Sequence, residues 1–148
     1  MELRNTFEAA VNETLPMFGL TPVFAGEMEQ PGLTSANPVN VLIGLTQGLR
    51  GNVLLGFSRP SAVRVVSSMM GGMPVESLDA MAKSALGELG NLLSASAVLK
   101  LNNPVPIQIS PPTVVLGERL FLMISRVPSR VLQFRFDQDQ MTVRLSVE

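Results

Sequence analysis

The stretch Val131-Leu132-Gln133-Phe134-Arg135-Phe136, followed by Met141-Thr142-Val143-Arg144-Leu145-Ser146-Val147, decides the fold. Successive side chains of a strand point to opposite faces, so alternation marks a strand with one buried side. Leu132, Phe134 and Phe136 fall on one face, with Gln133 and Arg135 on the other. Val143, Leu145 and Val147 repeat the pattern, with Arg144 and Ser146 opposed. Asp137–Gln140 is short and polar, so the two runs are predicted to pair as an antiparallel hairpin. The chain therefore ends in a half-buried antiparallel sheet whose inner face needs helices to cover it.

Working backwards, Leu116–Val127 reads as a further strand, and Pro104–Val115 as a proline-interrupted, edge-like segment. Val39–Thr46 and Asn52–Ser58 are β-rich runs joined by Gln47-Gly48-Leu49-Arg50-Gly51, a hairpin-like connection. Residues 21–36 hold two prolines and two glycines and read as an irregular strand or loop. The helices lie between and before these runs. Leu3, Phe7, Ala10, Val11 and Leu15 have helical spacing over residues 3–17. Ser58-Arg59-Pro60 opens a second helix, serine as cap and proline in the first turn, which Gly71-Gly72 closes. Ser77 is the expected cap of the longest helix, residues 78–101, which stops at Asn102-Asn103-Pro104. This order predicts one α+β domain over residues 1–148, a largely antiparallel sheet packed by helices.

Composition narrows the chemistry. The 148 residues include no histidine, cysteine, tryptophan or tyrosine. That removes Ser-His-Asp and Cys-His nucleophiles, an imidazole base and an ordinary zinc site. No Walker A or G-x-G-x-x-G motif occurs. Carboxylates, carboxamides, hydroxyls, arginines and two lysines remain, so an enzyme of this composition needs a substrate that is already reactive or brings a metal. At 46% hydrophobic and 16% charged residues the chain is globular. Mean hydropathy is +0.32, yet no apolar run nears the ~18–20 residues of a membrane span. The acidic N-terminal stretch does not read as a signal peptide, so a cytoplasmic protein is expected. Charge is uneven: Glu2, Glu8, Glu13, Glu27 and Glu29 lie early, and Arg119, Arg126, Arg130, Arg135 and Arg144 late. Without aromatic platforms, the arginines are expected on the solvent side of strands and no nucleic-acid partner is expected.

The long helix carries the unusual face. Ala82, Ala85, Leu86, Leu89, Leu93 and Ala97 form the stripe expected to pack on the sheet. Ser84, Glu88, Asn91 and Ala95 cluster on another side, being i, i+3, i+4 and i+7 neighbours. Gly87 and Gly90 lie beside them, and each costs about 1 kcal/mol relative to alanine. Close packing against another helix would compensate, and so would a low profile that lets a partner approach Glu88 and Asn91. An asparagine does not titrate near neutrality, but it can hold a water in line with an electrophilic phosphorus. A glutamate can accept a partner lysine and fix the register. A solvated Glu and Asn on an exposed face would have the same spacing.

Ser84, Glu88, Asn91 and then Pro111-Pro112 together resemble the signature of the CheC/CheX family of chemotaxis phosphatases. Gly48-Leu49-Arg50-Gly51-Asn52-Val53 and Met69-Met70-Gly71-Gly72 resemble the strand entry and helix end of that family. Pro112 follows Asn91 at slightly less than the family spacing, which predicts a remodelled loop. Only one Glu/Asn pair sits on a long helix, so the single-site CheX type is the nearer match. The resemblance implies hydrolysis of the aspartyl phosphate of a CheY-like response regulator. Asn91 would position the attacking water and Glu88 would engage the regulator. Ser84, Gly87, Gly90 and Ala95 would contact the partner. The chain would need no cofactor of its own, because the regulator brings the Mg²⁺, and it would pair as a homodimer. A non-catalytic response-regulator or flagellar-switch docking module, or an unrelated ligand-binding or oligomerising domain, are the competing readings.

Overall fold

The computed structural model describes residues 2–148. Helix α1 spans Leu3–Thr14 and runs on into a 3-10 turn, Leu15–Phe18, that ends at left-handed Gly19. Strand β1 is Val23–Gln30, β2 Leu33–Ser35, β3 Val39–Thr46 and β4 Gly51–Phe57. Helices α2, Arg59–Met69, and α3, Ala80–Leu101, follow. The chain closes with β5 Gln108–Ile109, β6 Thr113–Leu116, β7 Phe121–Met123, β8 Ser129–Phe136 and β9 Asp139–Val147.

The main sheet has the order β1-β8-β9-β4-β3, with β5 and β6 end to end along the far edge of β3. Every pairing is antiparallel. The terminal hairpin forms as its alternation predicts, with Phe134 opposite Met141 and Leu132 opposite Val143. Its turn is tighter than the four residues expected, because Phe136 already pairs with Asp139 and Asp137 takes a positive φ of 58°.

One face of the sheet is the core. Val41, Ile43, Val53, Leu55, Leu132, Phe134 and Val143 are fully buried there with Phe7, Val11, Val65, Leu86, Leu89 and Leu93 from the helices. Burying each large side chain contributes about 1.5–3 kcal/mol, which holds α3 against β3. The opposite face carries Asn52, and its Nδ2 donates to the Ile124 carbonyl at 2.6 Å. That bond ties down a small ribbon in which β2 pairs with β7.

Three expectations change. Residues 23–30 form a full edge strand, since β8 offers it a complete row of partners and a register shift near Gly26 absorbs the irregularity. Leu116–Val127 is not one strand: Gly117 and left-handed Arg119 break it, leaving β6 and the short β7. Asp79, not Ser77, caps α3, its carboxylate accepting the Ala82 N–H at 2.9 Å. Ser58 does cap α2, accepting from Ser61 N–H at 3.2 Å.

The charge asymmetry of the sequence is bridged in space at one point, between Glu27 and Arg130. Glu27 on β1 meets Arg130 of β8 and Arg4 of α1, and Glu13 of α1 meets Lys100 of α3 at 2.7 Å. Arg130 and Arg135 lie exposed on β8 and Arg144 is half-buried on β9, while Arg119 and Arg126 are exposed in loops. Burial lowers the pKa of Arg144. Among the described residues, no helix is long and apolar enough to cross a membrane.

Candidate functional face on the long helix

Helix α3 is fixed before its outer face is considered. Asp79 caps its start, and Lys100 sits in its last turn, where a cation complements the helix dipole. Asn102 ends it in the left-handed conformation. Ala82, Leu86, Leu89, Leu93 and Ala97 are buried as the apolar stripe predicts, with Ala85 half-buried beside them.

Both glycines are buried, and their neighbours say why. A Cβ on Gly90 would stand 2.8 Å from Ile43 Cδ1 and 2.9 Å from Val41 Cγ1. A Cβ on Gly87 would stand 3.1 Å from Pro112 Cγ. Close packing therefore accounts for both positions, but against strand β3 and a proline, where another helix was the packing partner expected. Neither glycine is open to direct contact from outside the chain, which corrects the expectation for Gly87 and Gly90. Their smallness lets α3 lie close to the sheet.

Ser84 and Glu88 are exposed, and Asn91 and Ala95 are half-exposed on the same side. No hydrogen bond or ion pair among the described residues engages the Glu88 carboxylate or the Asn91 carboxamide. Two untethered polar groups thus stand one turn apart on a rigid helix, with Pro112 alongside. The proline is held by its neighbours: Ser110 Oγ accepts the Gly44 N–H at 2.8 Å and donates to the Pro111 carbonyl at 3.3 Å. Sequence reasoning missed Met81 and Leu99, 66% and 79% exposed, which extend this face at both ends. Met81 lies seven residues before Glu88 and Leu99 four after Ala95, which puts both on the same side of the wheel, so the signal was present.

Among the described residues, no group of three or more acidic, histidine or cysteine side chains could hold a metal ion. What the face offers is a carboxylate for a cation and a carboxamide for a water or an oxygen.

An antiparallel sheet backed by helices, with one Glu/Asn pair on its longest helix, defines a CheX/CheC-like α+β domain. Residues 39–135 match the chemotaxis phosphatase CheX family, and the chain belongs to that family. It is 33% identical to the CheY-P phosphatase CheX of Thermotoga maritima, over 97% of this chain and 94% of that protein. The chemotaxis protein CheX of Desulfovibrio desulfuricans shares the fold over the whole of both chains, with a TM-score of 0.86 and 22% identity. A chain of the CheX–CheY–BeF3–Mg²⁺ complex of Borrelia burgdorferi also shares the fold, over 99% of this chain and 95% of that one, with a TM-score of 0.79 and 18% identity.

Proposed function

We propose that the chain hydrolyses the aspartyl phosphate of a CheY-like receiver domain, with the exposed face of α3 entering the receiver's site. The observation that carries the reading is the untethered pair Glu88, exposed, and Asn91, half-exposed, on an otherwise well-anchored helix. Asn91 holds a water through its carboxamide, in line with the acyl phosphate. The water oxygen bonds to phosphorus as the bond to the aspartate oxygen breaks. The aspartate leaves as carboxylate and the water's protons pass to phosphate and solvent. Orientation of this kind is effective when the phosphoryl group is labile and its charge is already offset. Glu88 accepts a lysine of the receiver and fixes the register. The receiver brings its Mg²⁺ to the joint site. Ser84 and Ala95 are short enough to let the receiver close over the helix.

The similarity to a CheY-P phosphatase supports the substrate, and a chain without histidine fits a positioning role for Asn91. A cytoplasmic place fits the same substrate. The exposed Leu33, Phe121 and Met123 of the ribbon support a homodimer, and sedimentation at several concentrations tests it. The decisive experiment follows the decay of a phosphorylated CheY-like receiver from the same genome, with wild type, Asn91→Ala and Glu88→Ala. Acceleration lost in Asn91→Ala, with binding retained, supports the phosphatase. Binding without acceleration in wild type makes the chain a docking module.

A further inference from the structure

The helix face does not end at Ser84. One turn earlier, Met81 projects from the same side, about 10 Å along the axis from Glu88. It is 66% exposed. Facing it is the connection between α2 and α3, where Met73 is 64% exposed. Together with Met70, Pro74 and Val75 these methionines line a cleft of about 340 Å³ at the start of α3.

The cleft wall is built and not merely loose chain. Gly71 and Gly72 take positive φ values of 72° and 90°, turning the chain sharply after α2. The Gly72 N–H donates to the Ser67 carbonyl at 2.8 Å, and Ser67 Oγ donates to the Met73 carbonyl at 2.7 Å. These bonds hold the backbone of Met73 while its side chain faces water. Two large apolar groups in that position gain nothing for the isolated chain, since exposed apolar surface is unfavourable. Methionine is flexible and polarisable, so it adapts to a partner's side chain better than a branched residue would. Glu76 and Asp79 also line the cleft, and Asp79 already accepts the Ala82 N–H. Glu76 leaves negative charge at the rim.

We propose that this methionine cleft is the second half of the receiver dock, taking an apolar side chain of the receiver that is flanked by a basic residue. The inference rests on the reading of the Ser84–Asn91 face as the dock, with which the cleft is continuous through Met81. Division of labour follows: Asn91 acts at the phosphoryl group and Glu88 fixes the register, while Met73 and Met81 supply apolar contact that sets affinity and partner choice.

The test is methyl-labelled methionine NMR of the whole chain, titrated with a beryllofluoride-activated CheY-like receiver. The methyl signals of Met73 and Met81 are expected to shift on binding, while that of Met17, 75% exposed on the 3-10 turn, stays in place. Met73→Ser and Met81→Ser are each expected to raise KM about tenfold with kcat unchanged, and Met17→Ser to change neither. Binding that Glu88→Lys abolishes, with the Met73 and Met81 signals unmoved, overturns the cleft and leaves the phosphatase reading standing. No binding to any receiver overturns both.

Discussion

Pro112 lies against the bare Cα of Gly87, so close that a Cβ there would stand 3.1 Å from its ring. One helical turn further on, on the adjoining strip of the helix, is Asn91. The proline comes from the kink between β5 and β6, which share β3 as a partner. The kink that closes the sheet edge thus also abuts the helix beside its functional face. Gly87→Ala is expected to raise intrinsic helix propensity by about 1 kcal/mol while pushing Pro112 outward by a few tenths of an ångström. The net change in stability should be under about 1 kcal/mol, whereas receiver-phosphate hydrolysis should fall several-fold. Denaturation and turnover measured on one preparation check both halves.

Gly90→Ala is the contrasting case, because its neighbours are side chains of the sheet core. Overpacking costs about 1–3 kcal/mol, and the gain in helix propensity offsets about 1 of that. A net loss of about 1–2 kcal/mol in urea denaturation is expected. Ile43→Val removes the Cδ1 that a new methyl would meet at 2.8 Å. In the Gly90→Ala background it should therefore cost less than it does alone, as a double-mutant cycle would show.

The cap of α3 separates two residues that look alike in sequence. Asp79→Ala should lower stability by about 1 kcal/mol, since its carboxylate accepts the Ala82 N–H. Ser77→Ala, outside the cap, should stay within about 0.5 kcal/mol of wild type. Thermal or urea midpoints of the two variants distinguish them.

Glu88 and Asn91 should fail in different ways. Asn91→Ala is expected to lower kcat about 10²-fold with KM kept, because only the oriented water is lost. Glu88→Ala should act mainly on KM, through the lost ion pair, and its penalty should shrink at high salt. Both variants should unfold like wild type, since neither side chain is bonded within the chain.

Stability should depend on pH through Glu27. The guanidinium of Arg130, and next that of Arg4, hold its carboxyl below the usual carboxylate range. A depressed folded pKa contributes stability that is present above the unfolded value and is lost as pH falls through the folded one. Glu27→Gln should therefore lower the urea midpoint at neutral pH, and the difference from wild type should shrink and close as pH falls through and below the ordinary carboxylate range. A difference that persists in acid would place the contribution of Glu27 in packing instead.

What could be read directly was what lies within a few residues. The β8–β9 hairpin is written in its own alternation, α2 in Ser58-Arg59-Pro60, and the end of α3 in Asn102-Asn103-Pro104. Strand β1 was obscured because Gly26 interrupts its pattern and its partner, β8, begins 99 residues after β1 ends. The three-residue strands β2 and β7 carry too little sequence to show alternation. Their ribbon exists because Leu33 meets Met123 and Asn52 anchors Ile124. The Glu88–Asn91 face was visible as a wheel pattern, and its resemblance to a family signature gave the pattern meaning. Spacing alone also fits Glu2-Leu3-Arg4-Asn5, where Arg4 is paired with Glu8 and Glu27.

By itself the sequence determined the periodicities, the caps and breaks, and a chemistry limited to carboxylate and carboxamide, because each is a property of neighbouring residues. Only the tertiary structure decided why Gly87 and Gly90 are glycines. Both readings, packing and partner access, satisfy the same helix, and the choice depends on which atoms arrive from β3 and from Pro112. Those atoms come from positions tens of residues away, brought there by strand pairing and burial, and no local pattern records where they arrive.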